Sequence, residues 1–184
     1  MPNTAENIYR YHADEYYQIT AKSDKMTELL DGEIVAMASP NIRHNDIALG
    51  LYTAFRRFIS ENKGKCRPYV APTDVELDDR NVVIPDVFIA CNPDNFDKQK
   101  YNGAPDFIAE VVSTNRNDDY IRKLWLYRSR GVREYWIIDP HKEKVLVYFF
   151  ESNEYPEMYD FNTPIPVNIW NKKLSVIISE IEKI

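Results

Sequence analysis

Apolar residues in this chain fall mostly into short runs broken by polar pairs. In two long stretches they switch to the three- and four-residue step of a helix. Residues 26–30 and 33–37 flank Asp31-Gly32. Asp-Gly between apolar runs predicts a hairpin, because both turn residues tolerate positive φ. Residues 43–62 form the first long helical stretch, with Ile47, Leu51, Ala54, Phe55 and Phe58 on its buried face and Gly64 as the expected C-terminal cap. Short strands are expected over 66–70 and 74–77, split by Ala71-Pro72, with a turn at 78–81. Another strand covers 82–84 and 87–90 and is interrupted at Pro85-Asp86. Proline cannot donate to a ladder, so an edge, bulge or irregularity is expected there. Residues 92–105 read as a polar loop long enough to act as a flap.

The run 106–112 is almost continuously apolar, the mark of a central buried strand. Ser113-Thr114-Asn115 offers capping side chains for a helix over 117–130, and Gly131 ends it. Strands over 133–138 and 144–150 are joined by the polar loop 139–143. At the ends, 1–25 is a polar extension with a short helix at 12–19, and 151–184 holds an edge strand at 164–170 and a closing helix at 174–181. No repeat or linker interrupts the pattern. The expectation is one domain over 1–184, α/β with an α+β mixed sheet flanked by helices.

Composition narrows the class. A hydrophobic content of 44% and an aromatic content of 13% suit a folded domain. The net charge of −6 argues against a general nucleic-acid coat. The distribution is uneven: six basic residues against two acidic give +4 over 41–68, and the same balance holds over 116–133. By contrast, 74–97 carries seven acids and one Arg. A local basic face around an acidic pocket is compatible with this, as is a set of solvated helix faces. Five glycines leave no Gly-rich phosphate loop. Cys66 and Cys91 lack metal-knuckle spacing and read as reduced thiols. No run approaches the roughly 18 apolar residues of a membrane span. The polar start lacks a signal-peptide core, so a cytoplasmic location is expected.

The candidate chemistry lies where charge interrupts apolar strands. Asp86 and Glu110 each do so. A buried carboxylate costs several kcal/mol unless it is paired or holds a metal. Two in successive strands suggest a shared cation, Mg²⁺ or Mn²⁺, which needs one or two carboxylates and keeps several waters. The backbone carbonyl of Val111 is a candidate further ligand. Asp119, Lys123 and Tyr127 recur at four-residue spacing and share a helix face. Lys123 would supply the positive group that phosphoryl chemistry needs, with Asp119 holding it. Glu33 reads either as an exposed strand end or as a third acid. His44 reads either as a structural residue or as a lining of the site. The plainer alternative is a Pro-Asp strand start and a strand glutamate paired with an arginine.

A resemblance sharpens this. Leu30-Asp31-Gly32-Glu33, Ser39-Pro40 with His44, Val83-Ile84-Pro85-Asp86-Val87 and 104–113 occur in order. They are followed by Arg116, Asp119, Lys123, Tyr127 and then Gly131-Val132-Arg133-Glu134-Tyr135-Trp136-Ile137-Ile138-Asp139-Pro140. Over roughly residues 12–150 the chain resembles the Uma-type endonuclease family, within the PD-(D/E)XK restriction-endonuclease-like superfamily. The resemblance implies a central mixed sheet flanked by helices and a Mg²⁺-dependent nuclease site acting on DNA. Asp86 and Glu110 would be metal ligands and Glu33 an accessory acid. The superfamily's lysine stands two residues after the acid, where this chain has Val112, so Lys123 would be the displaced lysine. Cutting both strands of a duplex needs two sites, so a homodimer is expected. Two other readings stay open: a catalytically inactive nuclease-fold module that binds or self-associates, with Tyr148, Phe149, Phe150, Tyr155 and Tyr159 as its surface, and a metal-dependent hydrolase of small nucleotides.

Overall fold

A computed structural model describes residues 9–113, 117–152 and 155–183, without the side chains of 117–119. Asp31 and Gly32 take positive φ of 49° and 77°, the two-residue turn expected of Asp-Gly. It joins β1 (Thr27–Leu30) to β2 (Glu33–Ala36), with Leu30 opposite Glu33. Before it, α1 (Ala13–Thr20) is started by the His12 N–H, which donates to Glu15 Oε2 at 2.9 Å. Its Ala13 and Tyr16 pack on Leu29 and Val82.

The long helix α2 (Ile42–Glu61) is capped by Asn41, whose side chain accepts from the His44 N–H. It ends differently from expectation: Lys63, not Gly64, takes the left-handed conformation, at φ 51°. Next come β3 (Arg67–Val70), β4 (Asp74–Asp78), β5 (Asn81–Val83) and β6 (Val87–Ala90). β5 and β6 are not one interrupted strand. β5 pairs with β1 and β4, and β6 pairs with β3 and β8 (Phe107–Val111), so the chain changes sheets at Pro85-Asp86. Proline there has no N–H with which to extend a ladder.

The expected flap at 92–105 is anchored instead. Within it, β7 (Lys100–Asn102) pairs parallel to β4 and buries Tyr101. After β8 come α3 (Asn117–Arg130), then β9 (Glu134–Asp139) and β10 (Lys144–Phe149). Gly131 ends α3 with φ 92°. The tail departs from the predicted edge strand and helix. β11 (Glu157–Asp160) pairs with β10, β12 (Ile165–Pro166) pairs with β13 (Ser175–Val176), and α4 (Ile178–Ile181) is a single turn. Of the predicted surface aromatics, Tyr155 is 93% exposed, while Tyr148, Phe149, Phe150 and Tyr159 are half-buried along the β10–β11 hairpin.

Among the described residues the strands form two larger mixed sheets rather than one. Their orders are β11-β10-β9-β8-β6-β3 and β2-β1-β5-β4-β7, with β12-β13 as a ribbon. The six-stranded sheet is covered on both faces. Val87, Ile89, Phe107, Ala109 and Val111 face α2 and the tail, while Phe88, Ala90 and Ile108 face α3 and the second sheet. Burial on both faces explains the unbroken apolar runs of β6 and β8.

A second correction concerns the cysteines. Arg67 pairs with Ala90 across β3 and β6, so the next residues out, Cys66 and Cys91, face each other with Cα atoms 3.9 Å apart. They form a disulfide. Twenty-five residues of separation hide this pairing from any local motif.

Candidate active site

Strand register sets the geometry. Val87 lies opposite Ala109 in the antiparallel β6–β8 pair, so one step further Asp86 lies opposite Glu110. Opposed residues of such a pair share a face, with Cβ atoms about 4.5–5.5 Å apart. Glu110 turns with Ile108 toward α3, while Asp86, one residue before the ladder begins, also reaches the start of α2.

Each acid is held. Asp86 Oδ2 accepts from the Val111 N–H at 2.7 Å and lies 3.0 Å from His44 Nε2. Glu110 Oε1 accepts from the Tyr127 hydroxyl at 2.7 Å and from Lys123 Nζ at 3.0 Å. Lys123 and Tyr127 stand one turn apart on α3, so the expected shared face is real. Lys123 also donates to Glu28 at 2.9 Å, and Glu28 accepts from the Ile84 N–H at 2.9 Å. Lys123, Glu28, Asp86, Glu110 and His44 are all buried. Val111 lines the same cavity.

Glu33 is not brought to this cluster. It shares the hairpin face with Glu28 but sits two residue pairs nearer the turn, roughly 6.8 Å away along the strand. There its half-exposed side chain pairs with Arg122 at 3.2 Å and Arg10 at 3.6 Å. The third carboxylate of the cluster is Glu28. The signal for Glu28 was the one used for the other two acids, a charge inside an apolar run at 27–30. Asp119, expected to hold Lys123, and Arg116, part of the resemblance, lie outside the described side chains.

The electrostatics are unbalanced. Of three buried carboxylates, Glu28 and Glu110 share one ammonium, and Asp86 is held by the Val111 N–H and His44. Burial raises the Glu110 pKa to about 7; Lys123 opposes this, and the charges of Asp86 and Glu28 add to it. Burial and then Glu110 push the Tyr127 hydroxyl well above its ordinary range, so it remains a donor. For His44, burial favours the neutral ring, but its bond to Asp86 and the carboxylate charges outweigh this and raise its pKa. Surplus negative charge of this kind suits a divalent cation. Among the described residues no three His, Cys, Asp or Glu side chains are spaced to hold a metal by themselves. Mg²⁺ needs only one or two carboxylates and fills its remaining positions with water. The cavity between the acids, about 60 Å³, has room for an ion and a few waters.

Two opposed acids at a sheet break, with a lysine from the neighbouring helix, are the arrangement implied by the restriction-endonuclease-like resemblance. A family model, Uma2, described as "Putative restriction endonuclease", matches residues 13–167, and the chain belongs to that family. Among solved structures, it is similar to a protein described as "a putative nuclease belonging to DUF820" from Anabaena variabilis. The two share 17% identity over 92% of this chain and 96% of that one, with a TM-score of 0.76, a likeness of fold. No curated protein matches the chain. No described helix is long and apolar enough to cross a membrane.

Proposed function

We propose that the protein is a metal-dependent endonuclease that hydrolyses DNA phosphodiester bonds. The observation that carries this is the Asp86–Glu110 pair with the Lys123 ammonium 3.0 Å from Glu110. Asp86, Glu110 and the Val111 carbonyl would hold Mg²⁺ or Mn²⁺, which when bound supplies an acidified water and positive charge for the phosphoryl oxygens. The chain's own groups do the positioning. The Val111 N–H and His44 orient Asp86, while Tyr127 and Lys123 orient Glu110. Glu28 anchors Lys123, whose charge stands beside the incoming phosphate. A homodimer with two such sites would cut both strands.

The test is cleavage of plasmid DNA with added Mg²⁺. Asp86→Ala and Glu110→Ala are expected to abolish metal-stimulated cleavage while circular dichroism shows the fold retained. Equal cleavage by wild type and both variants removes the site from consideration. A second reading, a nuclease-fold module that associates without cutting, is favoured by the exposed Ile121, Trp125, Tyr155 and Met158. Calorimetric titration with Mg²⁺ and Mn²⁺ separates the two, since absence of binding favours the second.

A further inference from the structure

Two cavities lie along the side where α2 packs against β3, one at Asp86 and one among a cluster of cations. The first, about 350 Å³, opens onto Asp86 and His44, between the start of α2 and Val70-Ala71-Pro72. The second is a cleft of about 500 Å³ lined by Arg56, Lys63, Lys65 and Arg67. Asn45, Leu49, Thr53, Arg56 and Ser60 recur along α2 at helical spacing and are all exposed, so one helix face, with Asp46 at its border near the first end, spans the distance between the two. From Asn45 to Ser60 that face runs roughly 22 Å at 1.5 Å per residue.

The cleft stands out against the acidic chain. No acidic side chain lines it. Among the described residues, none of its four cations is in an ion pair, and the neighbouring Glu61 is taken by Arg57. Arg67 lies with its guanidinium 5.9 Å from the Phe96 ring centroid. The negative end of the α2 dipole favours Lys63 and Lys65 nearby without neutralising them. It gives no account of Arg67, which comes from β3.

We infer that this cleft is a phosphate-backbone subsite, gripping the nucleic-acid substrate about six to seven nucleotides from the phosphate at Asp86, given a rise of about 3.4 Å per nucleotide along one strand. The assignment rests on the nuclease reading for its direction, from cleft to acids. Lysines and arginines suit the task, since each neutralised phosphate releases condensed counterions.

The experiment is binding of a fluorescent 20-base-pair duplex by anisotropy, in EDTA so that nothing is cut, across 50–200 mM salt. The double variant Lys63→Glu/Lys65→Glu is expected to bind at least tenfold more weakly at the low-salt end. Its slope of log affinity against log salt should fall by about two. Arg67→Gln, a neutral change, should lose less and guards against misfolding, with the thermal midpoint of both variants checked. Hydrolysis of bis(p-nitrophenyl) phosphate with Mn²⁺ should be unchanged in each, because that small ester needs only the acids. Variants that bind the duplex with wild-type affinity and salt slope overturn the subsite. So does a wild type that binds heparin but no duplex. Duplex binding that depends on the cleft, with no Asp86-dependent hydrolysis of either substrate, would sink the nuclease reading and leave the cleft standing.

Discussion

Lys123 brings one positive charge to a buried cluster that includes Glu28, Asp86 and Glu110. Removing one partner of a buried ion pair is far costlier than the pair is worth, because the other charge is stranded. Lys123→Met is therefore expected to cost about 3–5 kcal/mol in urea unfolding at pH 8. Glu110→Gln should behave oppositely. The folded-state pKa of Glu110 is raised from 4.5 to about 7, so folding favours its protonated form. The stability it contributes is present below about pH 4.5 and is lost as pH rises through about 7. A glutamine keeps the neutral state, so at pH 8 without metal the variant should be at least as stable as wild type while failing to cleave. The same shift predicts that metal affinity falls below about pH 7 and that binding releases a proton. Titration calorimetry in two buffers of different ionisation enthalpy reads that proton. Glu33 lies at the rim on Arg122 and Arg10. Glu33→Ala should change cleavage less than about twofold and cost under about 1 kcal/mol, the range of exposed ion pairs.

At the level of elements, local chemistry was legible and pairing was not. The Asp31-Gly32 turn, the extent of α2 and α3, and the stop at Gly131 follow from φ tolerance and helical period within a few residues. The strands β7 and β11 were missed because a three- or four-residue strand is defined by its partner, here β4 and β10. The tail helix is the single turn α4, and it docks on α2 at Gly50, where a Cβ would come within 2.4 Å of the Ile181 carbonyl oxygen. A clash with backbone cannot be relieved by a rotamer change, so Gly50→Ala should displace α4. The expected loss is about 1–3 kcal/mol, the usual cost of overpacking, read by thermal or urea unfolding.

For the whole molecule, the site is a product of register and of the crossing between sheets. Asp86 stands where the chain leaves one sheet for the other, and Glu110 meets it only because β6 and β8 pair as they do. A cation bound there would stabilise the native state alone. With a dissociation constant near 1 mM, 10 mM Mg²⁺ would add about 1.4 kcal/mol. Differential scanning fluorimetry should show that rise in wild type and not in Asp86→Asn.

Read alone, the chain determined its helices, its hairpin turn, the two acids inside apolar runs and the lysine face of α3, since these depend on neighbours a few residues away. Only the tertiary structure decided that Glu28 rather than Glu33 meets Lys123, that Cys66 joins Cys91, and that the strands divide between two larger sheets. Those outcomes depend on which strands pair and in what register, a choice made by packing both faces of a sheet at once.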